Sequence, residues 1–423
     1  MKLSRGSTVC SLAMVGFCIF AAAQCLSALK EQKRGLRRFE FTEPHMGTMF
    51  KIVFYASDES SALKASRAAF NRIAGLDHIM SDYQPSSELM RLSERAGGPP
   101  TRISDDLYGV MSTAQEIAQK SDGAFDITIG PVVRLWRRAR RQHELPEPAR
   151  LAQALELVGH EKLRLDAKAR TAQLLKPGML LDLGGIAKGY AADETLRVLK
   201  GYGIDRALVA AGGDIAVGEP PPDMEGNGWT IAVASLDSPT QRPKRYVALH
   251  NAGISTSGDL EQHVEINGTR YSHIVDPKSG RAITGRVSVT VIAPDDTTAD
   301  ALATAVCVLG LERGLKLIQS IPETRALICQ AKNSELQCSD WRFPATRDQS
   351  HDSPVCDATS EISRLRTNRC FSLSLGRICS TNLVASRGSK PTHEGTSRAE
   401  SRGLFHQAGL GRKSASHSSF FCG

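Results

Sequence analysis

The stretch from Met179 to Ala192 constrains this chain more than any other. It opens as an apolar run ending in the carboxylate of Asp182 and breaks at Gly184 and Gly185. It then continues with Ile186, Tyr190, Leu196 and Leu199 at helical spacing until Gly201 and Gly203. The pattern predicts a strand, a diglycine turn and a helix. A helix start offers unpaired N–H groups and a positive dipole end, which suit a phosphate. Lys188, one turn in, is placed to reach an anion, and Asp182 to take a ribose, base or flavin edge. An ordinary strand-to-helix connection, glycine-rich for tight packing, is the alternative. The dinucleotide fingerprint G-x-G-x-x-G and the P-loop ending G-K-[ST] are both absent, so the loop alone gives a candidate phosphate site and no more.

The two ends of the 423-residue chain differ from its middle. Lys2 and Arg5 precede an apolar run from Val9 to Ala23 that ends in three alanines, the pattern of a secretory signal peptide over residues 1–25. The run is short for a membrane-spanning helix. Cys25 raises the alternative of lipidation and membrane anchoring through the N-terminus, although Ala-Ala-Gln before it is a poor lipobox. Residues 344–423 are dominated by Ser, Arg, Thr and Gly with no sustained apolar period, so they are expected to stay disordered. Residues 41–343 hold 35 basic and 37 acidic side chains, so the sequence pI of about 9.0 belongs to the ends. A near-neutral body argues against a nucleic-acid partner. Only Cys307, Cys329 and Cys338 lie in that body, which gives neither a disulfide framework nor metal-ligand spacing. Cys329 and Cys338 would face each other across a hairpin turning at Asn333 and Ser334. Because a directly opposed disulfide is geometrically demanding, two separate thiols are expected.

Between the ends, helices are predicted over Ser60–Met80 and Asp105–Lys120, and a short one after Pro148. A strand is expected within Phe39–Tyr55, with Met46, Gly47 and Thr48 where it bends or starts, and Trp136–Gln142 reads as a basic, solvated stretch. Strands then dominate: Arg206–Ala211, Trp229–Ala234, Tyr246–His250, a hairpin around Asn267 and Gly268, and Val287–Ile292. A helix from Thr297 that Gly310 ends, a second over Glu312–Ser320 and a terminal hairpin close the body. Helices mixed with antiparallel hairpins, rather than alternating with strands, predict an α+β fold of mixed, largely antiparallel sheets.

Eight short motifs, in order, carry a resemblance. They are Met46-Gly47-Thr48, Met80 to Tyr83, Ala124-Phe125-Asp126, Asp182 to Ala191, Gly212-Gly213-Asp214, Ile254 to Gly258, Ser272 to Pro277, and Ala299 to Ala305. Over about residues 40–343 the chain resembles the ApbE family, the FAD:protein FMN transferases. The resemblance implies one α+β catalytic domain with FAD in a cleft between its parts. It implies transfer of FMN from FAD to a Thr or Ser hydroxyl of an acceptor protein, with release of AMP. Typical acceptors in the family are subunits of membrane-bound redox complexes outside the cytoplasm, so an exported protein is expected, periplasmic or on the outer face of the cytoplasmic membrane. Carried over residue by residue, Met46, Tyr83, Ala124, Phe125, Asp126, Asp182, Lys188 and Ile274 match flavin-contacting positions. The Gly185 carbonyl, Asp300 and Thr304 match the Mg²⁺ site. Many relatives have a second carboxylate beside the metal Thr where this chain has Ala303, which implies a leaner, wetter metal shell.

The residues also carry chemistry of their own. Asp300 and Thr304 are four apart, so on a helix both oxygens face one side and present hard ligands suited to Mg²⁺, or else simply cap the helix. Tyr83 is a candidate for stacking on a ring, or a half-buried core aromatic. His273, with Asp276 to orient it, is the candidate base for the acceptor hydroxyl, against a structural strand histidine. Gly212 to Asp214 is most simply a tight turn, with lining of the site as the alternative. An FAD pyrophosphatase giving FMN and AMP, and a non-catalytic flavin-binding lipoprotein, are the competing functions.

Because residues 344–423 offer no core, a chain ending at Phe343 is expected to keep its melting temperature and FAD affinity. A loss above about 1 kcal/mol in denaturant titration would show that the tail packs on the body.

Overall fold

Residues Thr48–Ala56 are buried on both sides, with Phe50, Ile52 and Phe54 in one apolar cluster and Val53 in another. A strand of that kind belongs inside a sheet covered on both faces. The computed structural model describes residues 35–344 except 225–227, 234–235, 237–244, 260–261 and 333–334. The leader with Cys25, and the tail beyond Pro344, lie outside the described residues. Among the described residues no helix is long and apolar enough to cross a membrane.

The strands in chain order are β1 (Arg37–His45), β2 (Thr48–Ala56), β3 (Thr101–Arg102), β4 (Leu163–Asp166), β5 (Thr171–Leu174), β6 (Ala207–Ala211), β7 (Asp214–Val217) and β8 (Trp229–Val233). They continue with β9 (Arg245–Leu249), β10 (Ala252–Gly258), β11 (His263–Ile266), β12 (Thr269–Val275), β13 (Ala282–Thr284), β14 (Arg286–Ala293), β15 (Arg325–Lys332) and β16 (Glu335–Trp341). The helices are α1 (Glu59–Met80), α2 (Glu88–Glu94), α3 (Asp105–Lys120), α4 (Gly130–Gln142), α5 (Pro148–Leu155), α6 (Ala187–Gly201) and α7 (Asp296–Ser320).

Eight strands form an antiparallel sheet in the order β1-β2-β6-β7-β10-β14-β15-β16. Helices α1, α6 and α7 cover one face around Ile73, Leu76, Ala191, Leu302 and Val306. The hairpin of β8 and β9 covers the other through Trp229, Ile231 and Val247. Beside this body, α4 and α5 pack on the small sheet β11-β12-β13 around Val132, Trp136, Ala139 and Val275. The expected α+β class is the one observed.

Four local expectations need correction. The segment 39–55 is a hairpin rather than one strand. Met46 (φ 47°) and Gly47 (φ 75°) both take the left-handed conformation that a two-residue turn requires. The apolar run 179–183 is buried but forms no named strand. It is held by a single bridge of Leu180 to Ile129 and by the Asp182 N–H, which donates to the Ile127 carbonyl at 2.8 Å. The basic stretch 136–142 is helix, and Trp136 is buried, with its Nε1 donating to the Gly280 carbonyl at 2.8 Å. Finally, Cys329 and Cys338 are joined. The β15–β16 register sets them directly opposite with Cα atoms 4.1 Å apart, close enough for the bond that the sequence argument disfavoured. Gly310 (φ 71°) does break α7, as its position predicted.

Helices α6 and α7 approach so closely at Gly189 that a Cβ there would overlap the Asp296 carbonyl. Helix propensity alone would favour Gly189→Ala by about 1 kcal/mol. The overlap is with backbone, so we expect a net loss of about 1–3 kcal/mol in urea unfolding. A stabilised variant would show that the two helices can part at no cost.

Candidate functional site

The site sits at one end of the large sheet. There the β6–β7 turn at Gly212 and Gly213 lies beside Thr48 and against Thr256, whose N–H donates to the Gly213 carbonyl at 2.9 Å. That turn delivers Asp214, buried at the start of β7, where its Oδ1 accepts from Ser255 Oγ at 2.6 Å. Lys188, in the first turn of α6, sets Nζ 2.5 Å from Asp214 Oδ2 and 3.4 Å from Asp300 Oδ2. Burial works against the ammonium, but the two carboxylates outweigh it and hold its pKa above the ordinary lysine value. Lys188 is therefore charged.

Asp300, on α7, also accepts from the Gly189 N–H at 3.3 Å. One turn further on, Thr304 Oγ1 lies 3.4 Å from Ser257 Oγ. Gly185 packs against both Thr304 and Phe125, since a Cβ built on it would meet Thr304 Oγ1 at 3.0 Å and the Phe125 ring at 3.2 Å. The diglycine turn, the Phe125 ring and the Asp300/Thr304 face of α7 are thus brought together. Sequence motifs 60 to 180 residues apart meet here.

This cluster carries more acid than base. Burial first, then repulsion from Asp214, pushes Asp300 up to about 7, with Lys188 and the Gly189 N–H pulling the other way. Asp296, one turn before Asp300, is fully buried with neither carboxylate oxygen hydrogen-bonded among the described residues. Burial, with Asp214, Asp193 and Asp300 nearby, raises it well above the usual carboxylate range. Asp193 holds the start of α7 by accepting from the Asp296 and Thr297 N–H groups at 3.0 and 2.8 Å, and burial lifts it to about 6. No three acidic, His or Cys side chains converge as ligands among the described residues. A cation here would have to use one carboxylate, one hydroxyl and backbone carbonyl oxygen, which is the hard-oxygen set that Asp300, Thr304 and Gly185 supply. The orphaned acid beside them makes a positive charge welcome. The residues fit Mg²⁺.

A second cluster surrounds Tyr83. The Arg137 guanidinium stacks over its ring at 4.3 Å, donates to Asp82, and reaches Asp182 Oδ2 at 2.9 Å. Asp182 Oδ1 in turn accepts from the Gly184 N–H at 2.8 Å, tying this cluster to the diglycine turn. Tyr83 is 58 % exposed despite the Arg137 contact. Asp82 is raised, by burial first and by Asp182 second, against the pull of Arg137. Arg137 was missed because the basic stretch around it read as solvated. Its partners, Asp82 and Asp182, were the available signal.

His273 and Ile274 lie on β12, with Ile274 buried and His273 open to solvent at its ring. The Nδ1 of His273 lies 3.2 Å from the Gln262 carbonyl, which can only accept, so Nδ1 carries the hydrogen and Nε2 keeps its lone pair. Partial desolvation, with Arg140 and Lys188 repelling its charged form and the Gln262 carbonyl pulling the other way, lowers the imidazole's pKa from its ordinary value, so it is neutral at pH 7. Asp276, expected to orient His273, is not its partner. Its oxygens accept from the Lys278 N–H and the Ser279 hydroxyl, forming the turn before β13. The orienting group is the Gln262 carbonyl. Ala124, Phe125 and Asp126 are all buried, and Asp126 Oδ1 accepts from both the N–H and the hydroxyl of Thr128. Met46 lies half-buried in the β1–β2 turn, packed against the main core.

A sequence model of the ApbE family matches residues 46–328. The FAD:protein FMN transferase of Haemophilus influenzae is 33 % identical over 337 residues, 77 % of this chain and 96 % of the relative. That of Treponema pallidum is 32 % identical over 335 residues, 76 % of this chain and 89 % of the relative. Among solved structures, the flavin transferase ApbE from Vibrio cholerae is similar with a TM-score of 0.66 and 28 % identity. That match covers 73 % of this chain and 98 % of the other.

A carboxyl whose pKa is higher folded than unfolded stabilises fully below its unfolded value, near 3.8, and loses that stability as pH rises through the folded value. Asp296 is such a group. In metal-free protein, Asp296→Asn is expected to flatten the fall in stability as pH rises above the unfolded value of 3.8 and to gain about 1–3 kcal/mol at the upper end. Urea midpoints at several pH values measure it. An unchanged slope would mean that Asp296 carries no buried charge.

Proposed function

The chain belongs to the ApbE family, and from that premise we propose that it moves FMN from FAD to a Thr or Ser hydroxyl of an acceptor protein, in a Mg²⁺-dependent reaction that releases AMP. The observation that carries this reading is the meeting of Gly185, Lys188, Asp300 and Thr304 at one end of the sheet.

Each group has a task that follows from its surroundings. The exposed Tyr83 stacks on the isoalloxazine, while Arg137 holds its ring. The charged Lys188 and the start of α6 favour the diphosphate. Asp300, Thr304 and the Gly185 carbonyl would hold Mg²⁺, which, when bound, neutralises charge developing on the diphosphate. Nε2 of His273 accepts the proton of the acceptor hydroxyl as its oxygen forms a bond to the FMN phosphorus. The bond from that phosphorus to the AMP oxygen breaks, and AMP leaves. The Nδ1 bond to Gln262 keeps the imidazole in the tautomer this needs.

The acceptor is expected to be a subunit of a membrane redox complex, met outside the cytoplasm. The Cys329–Cys338 disulfide supports an oxidising compartment, as does the leader pattern of residues 1–25. Hydrolysis of FAD by water, in place of the acceptor hydroxyl, is the second reading, and the solvent-open ring of His273 favours it when no acceptor is bound.

Incubation with FAD, Mg²⁺ and acceptor proteins separates the readings: covalent flavin on the acceptor, free FMN with AMP, or unchanged FAD, the last of which would overturn both enzymatic readings. Asp300→Asn keeps shape and removes charge, so AMP release is expected to fall by about 10²-fold or more while FAD still binds. Thr304→Val should act the same way, less strongly. Normal turnover of Asp300→Asn at low Mg²⁺ would remove the metal from this helix.

A further inference from the structure

Helix α4 carries five arginines within eight residues, Arg134, Arg137, Arg138, Arg140 and Arg141, in a body that is otherwise near neutral. Only Arg137 is paired with carboxylates among the described residues. Arg134, Arg138 and Arg141 recur at intervals of four and three, so they form one exposed stripe along the helix. Arg138 donates only to Gln142, on the same helix. Arg140 is half-buried with no acidic partner among the described residues, and burial together with Arg137 and Arg141 lowers its pKa. A half-buried guanidinium left without an anion is costly, and three more in a row beside it repel one another.

The stripe has a definite place. The opposite face of α4 is pinned to the small sheet by Trp136, whose ring lies 5.3 Å from Tyr271 and whose Nε1 donates to Gly280. Tyr271 and His273 are two apart on β12, in the stretch where its pairing with β13 shifts register. Arg140 is near enough to both Tyr83 and His273 for each to feel its charge. Arg137, next to Arg138 on the same helix, stacks on Tyr83 and reaches Asp182, so the helix that carries the stripe borders the Tyr83 cluster.

We infer that this arginine face of α4 docks an acidic segment of the acceptor protein, bringing its hydroxyl to His273. The inference rests on the transferase reading, since it names the chemistry of that reaction's partner. An acidic polypeptide fits better than an anionic membrane because the helix that carries the stripe also carries Arg137, which joins it to the Tyr83 and Asp182 side of the candidate site that the acceptor must approach. Charge pairs of this kind act on encounter and orientation and weaken with salt.

The test uses the FAD-loaded full chain and three fluorescein-labelled peptides of equal length, each with one central Thr flanked by Asp, by Asn or by Lys residues. Fluorescence anisotropy is expected to show the Asp peptide binding about ten-fold tighter than the Asn peptide, and the Lys peptide not at all, with the preference shrinking as salt rises. The triple change Arg134→Gln, Arg138→Gln and Arg141→Gln keeps good helix formers on an exposed face. It should abolish the preference while leaving FAD affinity and acceptor-free AMP release unchanged. Equal binding of the Asp and Asn peptides, or a preference that survives the triple change, overturns the inference. Anionic vesicles that bind wild type but not the triple variant, with no peptide preference, would assign the face to a lipid surface instead. Because binding is read without chemistry, Asp-peptide preference with no flavin transfer to any protein would retain the docking face and sink the transferase reading alone.

Discussion

A single ammonium ties the site together. Lys188 is supplied by α6, and the two carboxylates it meets come from β7 and α7, so one charge pins two helices to the sheet on which both pack. Remove it and Asp214, Asp296 and Asp300 are left in a buried place with only the Ser255 hydroxyl and the Gly189 N–H to offset them among the described residues. Even with it the balance is negative, and Asp296 has neither proton donor nor cation beside its oxygens among the described residues. Such a centre holds either protons or a metal, and which of the two depends on pH and on what else is bound. The arrangement is poised because it is unsatisfied.

Around that charge the fold arranges its glycines by necessity. Gly189 and Gly253 let backbone run against Asp296, and Gly213 lets β7 begin against Thr256. Gly185 leaves room for Thr304 and Phe125. Each is a close approach that a Cβ would obstruct.

Much of this was legible in the sequence, and what was not has a common cause. Periodicity found α1, α3 and α6 because their apolar residues recur at helical intervals, and the Asn267–Gly268 pair found its hairpin because the turn demands those residues. Spacing alone placed Asp300 and Thr304 on one side of a helix. Arg137 was lost because composition reports that a stretch is basic but not which of its arginines turns inward to Asp82 and Asp182. Asp276 was paired with His273 for its nearness in sequence, whereas the Gln262 carbonyl reaches the ring across a neighbouring strand. The disulfide was disfavoured on average geometry, which a particular register can escape. In each case a local rule failed where a partner distant in sequence decided.

The strand order has a consequence for the time at which the protein becomes itself. β6 and β7 occupy the middle of the sheet, yet β2 must wait for some 150 residues of synthesis before its neighbour β6 exists, and β10 waits again for β14. Thr304 is later still. Long-range antiparallel pairing of this kind is slow, since the closure entropy of large loops precedes any reward. An emerging chain therefore owns its early hairpin and α1 for most of its synthesis but not the candidate site, whose residues are complete only once α7 has been made.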